Sequence, residues 1–349
     1  MLAAVLMIAG ATFIRGRLDA NDVAREAEAG RVTGNLVCAV ELRDVCDALR
    51  AANPGLEIRI EEAAATEATL ASTSFNPGTA KIDAWLVPQP YPAMVDETRR
   101  AASGEPVLGE ASAVLARSPL VLAVWNDRLG ALAAACGGAP ANVTWACIGT
   151  NAGKAWAELG GQETWGTLKP GVPDPDRGAT GLAVVAQATT QFLPRPDFAR
   201  NDLEAADYQA WLGQLKRSMP ASGTAAGPLE QMLSLGKSTF DLAGSVEAIA
   251  GPAVTTGREK DRVTILYPSP MSTLDIVLVP VKGSQPGERV KNLLQTTPAR
   301  EALAQHGWRV PGLAAVAGIR DDQQLPAASG LPRAGVMLAL RTTFDGVAR

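Results

Sequence analysis

Two nearly unbroken apolar runs, LARSPLVLAVW at 115–125 and VTILYPSPMSTLDIVLVPV at 263–281, constrain this chain most. A strand that is apolar at almost every position, not at every second one, needs cover on both faces. That requirement points to layered α/β architecture. The first ninety residues agree. VTGNLVCAV (32–40) reads as a strand. ELRDVCDALRAANPG (41–55) reads as a helix, with Leu42, Val45, Cys46 and Leu49 at helical spacing and Pro54-Gly55 as its stop. LEIRIEEA (56–63) is a strand, TEATLAST (66–73) a helix, and IDAWLVPQP (82–90) a strand ended by prolines. This β-α-β-α-β order predicts a mainly parallel sheet covered by helices. After the first long run, VTWACI (143–148), a helix in GKAWAELGG (153–161), strand-like TLKPGVP (167–173) and the long amphipathic stretch 181–193 suggest a second sheet-and-helix series. A charged, exposed helix within 192–219, a loop and helix in 222–236, and a helix over 287–308 before a poorly patterned tail complete the pattern. Neither an internal repeat nor a break in composition marks a simple domain boundary.

At 349 residues the chain exceeds one ordinary core and suggests two domains. With 47% hydrophobic and 19% charged residues it is globular, and with 5% aromatics its core is chiefly aliphatic. The net charge of -4, with no cluster of Lys and Arg, gives no electrostatic footprint for nucleic acid. The four cysteines fall into two local pairs, Cys38 with Cys46 and Cys136 with Cys147. Such pairs suit an oxidised, extracytoplasmic protein with two small staples, and the loop GGAPANVT can bring the second pair into range. Cys46, on a helix, fits a buried thiol as well. The N-terminal run MLAAVLMIAGATFI, too short for a membrane span, suits a signal or membrane-anchor segment over residues 1–16, with a buried first helix as the alternative.

Catalytic chemistry has little material. The single histidine, His306, sits at a helix end before a glycine, where it suits the last carbonyls. LGKST (235–239) resembles the end of a phosphate-binding loop, but Gln231 stands where the loop needs glycine. No dinucleotide fingerprint, nucleophile elbow or metal-ligand spacing is present, so no cofactor, no metal and no enzymatic activity are expected. Glu61-Glu62 and Asp321-Asp322 fit solvated surface. The segment PDPDRGATGLAVVAQAT (173–189) differs in kind. Glycines and a hydroxyl stand directly before an apolar helix, whose free N–H groups and dipole attract anions or ligand carbonyls. Arg177 adds a cation there. The plain alternative is an N-cap with Thr180 as the capping group.

Six stretches together resemble the type II periplasmic (extracellular) solute-binding proteins, the kind related to molybdate- and sulfate-binding proteins: NLVCAVELRDVCDAL, KIDAWLVPQPY, LARSPLVLAVW, PDPDRGATGLAVVAQAT, DLAGSVEA and VTILYPSPMSTLDIVLVPV. REALAQHGWRV resembles the late helix of that family, and the resemblance spans about residues 31–315. It implies an α/β, two-lobed fold of two mainly parallel sheets with flanking helices joined by crossing hinge strands. Lobe 1 is expected at 31–118 plus 266–349 and lobe 2 at 119–265. A small-molecule or oxyanion solute would be trapped between the lobes by hinge closure, for an ABC-type transporter with its membrane permease. The chain is expected to be a monomer, secreted or held at the membrane by its N-terminal segment. Carried over, the candidate contacts are Ala39 and Glu41 after the first strand, Ser72, Thr73 and Ser74, Ser118 at the crossing, Arg177, Gly178, Ala179 and Thr180 at the helix start, Ser245, and Tyr267 on the return strand. One departure matters. The first-strand loop reads CAVEL, and Glu41 would repel an oxyanion. The tail LPRAGVMLALRTTFDGVAR resembles the region joining such domains to von Willebrand A domains in some surface proteins. A surface or interaction module with no transported ligand is therefore the alternative function.

Overall fold

The computed structural model describes residues 32–193, 195, 197–221 and 226–347, so the expected signal or anchor segment at 1–16 lies outside the described residues. The opening order is as the sequence suggests. Strands β1 (Gly34–Ala39), β2 (Leu56–Glu61) and β3 (Ala84–Pro88) are joined by helices α1 (Arg43–Ala52) and α2 (Ala63–Ala71), with a short α3 (Pro77–Ala80) before β3. β1 pairs in parallel with both β2 and β3. Helix α4 (Tyr91–Ala101) follows and packs on α2.

The chain then enters β4 (Ala116–Trp125), the first long apolar run. This strand has two sets of partners. Ala116–Pro119 pair antiparallel with β8 (Thr273–Pro280), which also lies beside β3. From Leu120 onward β4 pairs antiparallel with β6 (Leu242–Val246) on one side, and from Leu122 with β7 (Val263–Leu266) on the other. A two-residue strand, β5 (Pro170–Gly171), runs parallel to β6. The strand order is β2-β1-β3-β8-β4-β6-β5, with β7 paired to β4. The sheet is thus mixed: parallel pairing is confined to β1–β3 and β5–β6. β4 leads away from the first set of strands and β8 leads back, so the crossing strands run in opposite directions.

The apolar run of β4 has a simple cause. Leu120, Leu122 and Val124 enter the main core, while Val121, Ala123 and Trp125 enter a second cluster with Leu229, Met232, Phe240 and Val254. Alternate side chains point to opposite faces of a strand, so one strand supplies two cores.

Around the far strands stand α5 (Asn126–Ala135), α6 (Trp145–Asn151), α7 (Ala179–Phe192), α8 (Ala206–Arg217), α9 (Pro228–Leu235) and α10 (Glu247–Thr256). Several local expectations change. VTWACI forms no strand. Thr144 caps α6 by accepting from the Cys147 N–H at 3.4 Å, and Trp145 and Ile148 are buried helix residues. Residues 153–161 hold a 3₁₀ turn, Trp156–Leu159, in place of a full helix. α7 is buried from Ala179 to Thr190 without interruption, so it is enclosed all round and not amphipathic. In α8, Tyr208, Trp211, Leu212 and Leu215 are buried beneath the charged residues. The long helix expected at 287–308 is two, α11 (Gln285–Leu293) and α12 (Thr297–Gln305), separated where Pro298 opens the second. An irregular stretch leads to α13 (Ala334–Gly346), which packs on α4, α7 and the 3₁₀ turn Arg200–Glu204.

Candidate functional site

β1 ends at Ala39 and passes into one 3₁₀ turn, Val40–Leu42, before α1. The Cys38–Cys46 disulfide, with Cα atoms 6.6 Å apart, encloses this turn and ties the strand end to the helix. Glu41 leaves the turn toward the start of α7. Its Oε1 accepts the backbone N–H of Thr180 at 3.0 Å. Gly178 is the N-cap of α7 and Thr180 its second residue, so the cap expected from Thr180 comes from a carboxylate more than a hundred residues away. Gly178 leaves room for this approach, since a Cβ there would stand 2.9 Å from Glu41 Oε1 and the carboxylate would have to shift.

This contact is close but incomplete. Glu41 Oε2 and Thr180 Oγ1 are both buried without a hydrogen-bond partner. The Thr180 hydroxyl is near enough to favour the charged carboxylate weakly, in a geometry that makes no hydrogen bond. Burial dominates and holds the Glu41 carboxyl above the usual carboxylate range, against the pull of the Thr180 N–H. Tyr91, at the start of α4, keeps its proton far above neutrality because it is buried and faces the charges of Glu41 and Glu67.

Two further contacts flank this one. Arg177 Nε donates to Glu62 Oε1 at 2.7 Å, and Arg177 O accepts from the Ala64 N–H at 3.3 Å. These side chains are 46% and 36% exposed, so the ion pair itself contributes little. α13 makes the third. Arg341 grips Glu67 of α2 through two bonds of 2.6 and 3.0 Å, while Lys216 of α8 donates to the carbonyls of Phe344 and Asp345 at 2.6 and 2.9 Å. A groove of about 540 Å³ opens beside this strap, lined by Glu67, Ser72, Thr98, Asp176 and Arg341 with three alanines. Burial, then Asp345 and Asp174, raise the Asp176 carboxyl above its ordinary range.

The structure thus brings together Glu41, Arg177, Gly178, Ala179 and Thr180. Ala39 is fully buried in the core beside them. Ser72 lines the groove and its Oγ lies 2.8 Å from that of Ser74, while Thr73 and Ser74 are exposed. The remaining candidates stand elsewhere. Ser118 is fully buried and its Oγ accepts the Ala248 N–H at 2.9 Å, which caps α10. Ser245 is buried on β6 opposite Val121. Tyr267 donates its hydroxyl to Glu247, and burial followed by that carboxylate keeps the phenol protonated.

Glu247 itself carried no expectation from the sequence. Its side chain is wholly buried, and it takes Arg309 Nε and Nη2 at 2.7 Å each and the Arg320 N–H at 3.0 Å. Arg309 also exchanges backbone hydrogen bonds of 2.9 Å with Arg117, whose guanidinium reaches Asp275 on β8 at 2.8 Å. The signal was an acid inside the apolar run SVEAIAG, since a buried carboxylate requires a partner. The second disulfide, Cys136–Cys147, ties the end of α5 to α6, with Cα atoms 5.7 Å apart. Among the described residues no group of three His, Cys, Asp or Glu is placed to hold a metal ion, and none of their helices is long and apolar enough to cross a membrane.

The comparisons with known proteins bear on this arrangement. The structure is similar to the ferric binding protein from Campylobacter jejuni, at 8% identity over 90% of this chain and 99% of that one, with a TM-score of 0.62. It is similar to a periplasmic thiamin binding protein at 14% identity, over 91% and 96% of the two chains, with a TM-score of 0.55. It also resembles the sulfate-binding protein SubI from Mycobacterium tuberculosis H37Rv, at 14% identity over 91% and 100%, with a TM-score of 0.51. At such low identity these likenesses speak for the fold: the periplasmic-binding-protein α/β architecture. No curated protein sequence matches the chain. A family model described as bacterial extracellular solute-binding protein, a family of binding proteins and not of enzymes, matches residues 35–309. The chain belongs to that bacterial extracellular solute-binding protein family.

Proposed function

We propose that the protein is an extracytoplasmic receptor that captures a small solute between two lobes and presents it to an ABC-type permease. Lobe 1 is residues 31–118 with 266–349, and lobe 2 is 119–265. One observation carries this reading: the turn after β1 faces the N-terminus of α7, with Glu41 Oε1 3.0 Å from the Thr180 N–H. A turn and a helix start that face each other across a cleft are what a solute would bridge. The change of partners along β4 supports a hinge there. The similar structures carry iron, thiamin and sulfate in their names, three unlike chemistries, so they favour no ligand. The N-terminal segment serves as signal or membrane anchor, and the receptor works as a monomer.

Thermal shift against oxyanions, carboxylates, amines and sugars tests this reading, with X-ray scattering to follow the lobes. A stabilising solute that also alters the radius of gyration is expected. If no solute in the panel changes either quantity in oxidised protein, the receptor reading is lost. One observation favours a second reading, a surface module with no transported ligand. The helix N-terminus is filled by the chain's own Glu41. On that reading the likeness of the tail to the joining region ahead of von Willebrand A domains is a relationship by descent, and molybdate or sulfate is not the guest.

A further inference from the structure

The start of α7 has the makings of an anion site. It belongs to a helix of 14 residues, and Gly178 gives it a cap with no side chain. Thr180 is 8% exposed and directs a hydroxyl with no partner into the same place. That place already holds a carboxylate. Glu41 Oε1 lies 3.0 Å from the Thr180 N–H, and Oε2 is buried beside it without a partner. The disulfide between Cys38 and Cys46 pins the turn that carries Glu41 on both sides. A carboxyl group held this firmly against a helix start, and imperfectly matched to it, acts as a stand-in for a ligand.

We propose that the Glu41 side chain is an internal ligand, which occupies the carboxylate subsite at the N-terminus of α7 so that a carboxylate-bearing solute binds there only by displacing it. The inference rests on the receptor reading above for the location of the cleft, and it adds the chemical class of the guest. The competition is intramolecular, so the internal carboxylate is always at high effective concentration and sets a threshold for the external one. The solute has to offer what Glu41 leaves unmet, namely a second oxygen placed for the Thr180 hydroxyl.

Truncation to alanine tests this directly, because the atoms lost beyond Cβ in Glu41→Ala are those of acetate. Acetate binding is measured by calorimetry and by thermal shift for wild type, Glu41→Ala and Glu41→Gln. The amide of Glu41→Gln keeps an oxygen for the Thr180 N–H, so this variant should behave as wild type does. Glu41→Ala should bind acetate about tenfold or more tightly than either, the scale of one charge contact at a helix N-terminus. Sulfate, of tetrahedral shape, should gain less. If alanine does not fold, Glu41→Ser carries the same expectation. Equal acetate binding in the wild-type protein and the truncated variants overturns the proposal, and so does a gain for sulfate larger than for acetate. Neither result depends on lobe movement. A failure of the receptor reading would instead appear in scattering, as lobes that no solute displaces in any of the three proteins.

Discussion

Arg341→Ala cuts the strap between α13 and α2 at its one buried ion pair. Glu67 is 4% exposed and Arg341 21%, and the pair is joined by bonds of 2.6 and 3.0 Å. Removing the arginine leaves a buried carboxylate with no cation. Breaking such a pair costs about 3–5 kcal/mol when both partners are fully buried. Access from the adjoining groove, where water can reach Arg341, places the cost at the lower end, about 3 kcal/mol. Unfolding entropy of about 2.1 cal/mol/K per residue makes that loss worth about 4 °C in the melting temperature of a chain of this length. Calorimetry on oxidised protein at neutral pH measures it, and hydrogen exchange across 334–346 shows whether the helix loosens. Arg100→Ala removes a pair whose side chains are 70% and 39% exposed, and should cost about 1 °C or less. The double variant Glu67→Gln with Arg341→Met removes both charges and should recover most of the loss. A single variant that melts within about 1 °C of wild type, or a double variant no better than the single, refutes the reasoning.

Glu41 titrates above its ordinary 4.5 in the folded chain, so the folded state holds its proton to higher pH than the unfolded state does. Its stabilising share is complete below 4.5 and lost as pH rises through the window above; wild-type stability measured relative to Glu41→Gln in denaturant should decline in that direction, and a flat difference contradicts it. Ser118→Ala strips the cap from α10 and leaves the Ala248 N–H buried and unpaired, which should cost about 2 kcal/mol in chemical denaturation with the disulfides intact. Gly244→Ala would set a Cβ 2.7 Å from Trp145 Cζ2 and 2.9 Å from Val184 Cγ1, so overpacking of about 1–3 kcal/mol is expected; a neutral result would mean that α6 and α7 can shift away from β6.

The elements visible in the sequence were those whose pattern and burial agree. β1 to β3 and α1 follow their apolar spacing because each has one plain environment. α7 did not, since its polar residues Gln187, Thr189 and Thr190 are buried with the rest. Thr189 finds partners there, as its hydroxyl bonds the Val185 carbonyl and meets Tyr208 at 2.9 Å. Residues 143–148 read as a strand because Val143, Thr144 and Trp145 are favoured in strands, yet Trp145–Asn151 form α6. Thr144 serves as a helix cap there, a role that spacing alone does not reveal. At the site, Glu41 was legible as an obstacle to oxyanions, but its partner was not, because a contact across 139 positions leaves no local trace. Ser118 has the right chemistry for a ligand contact and the wrong surroundings, being enclosed and engaged with a backbone N–H.

The position of β8 has a consequence for how the protein is made. This strand lies between β3 and β4, yet both neighbours are synthesised well before it. Until Thr273–Pro280 emerges, β3 and the first half of β4 each present an unpaired edge, and neither can close on the other. The sheet is completed by insertion of its central strand, a step of long sequence separation that is intrinsically slow. A nascent chain interrupted between β4 and residue 273 would carry both open edges, so the exposure to misassembly lasts from the emergence of β4 until β8 follows it.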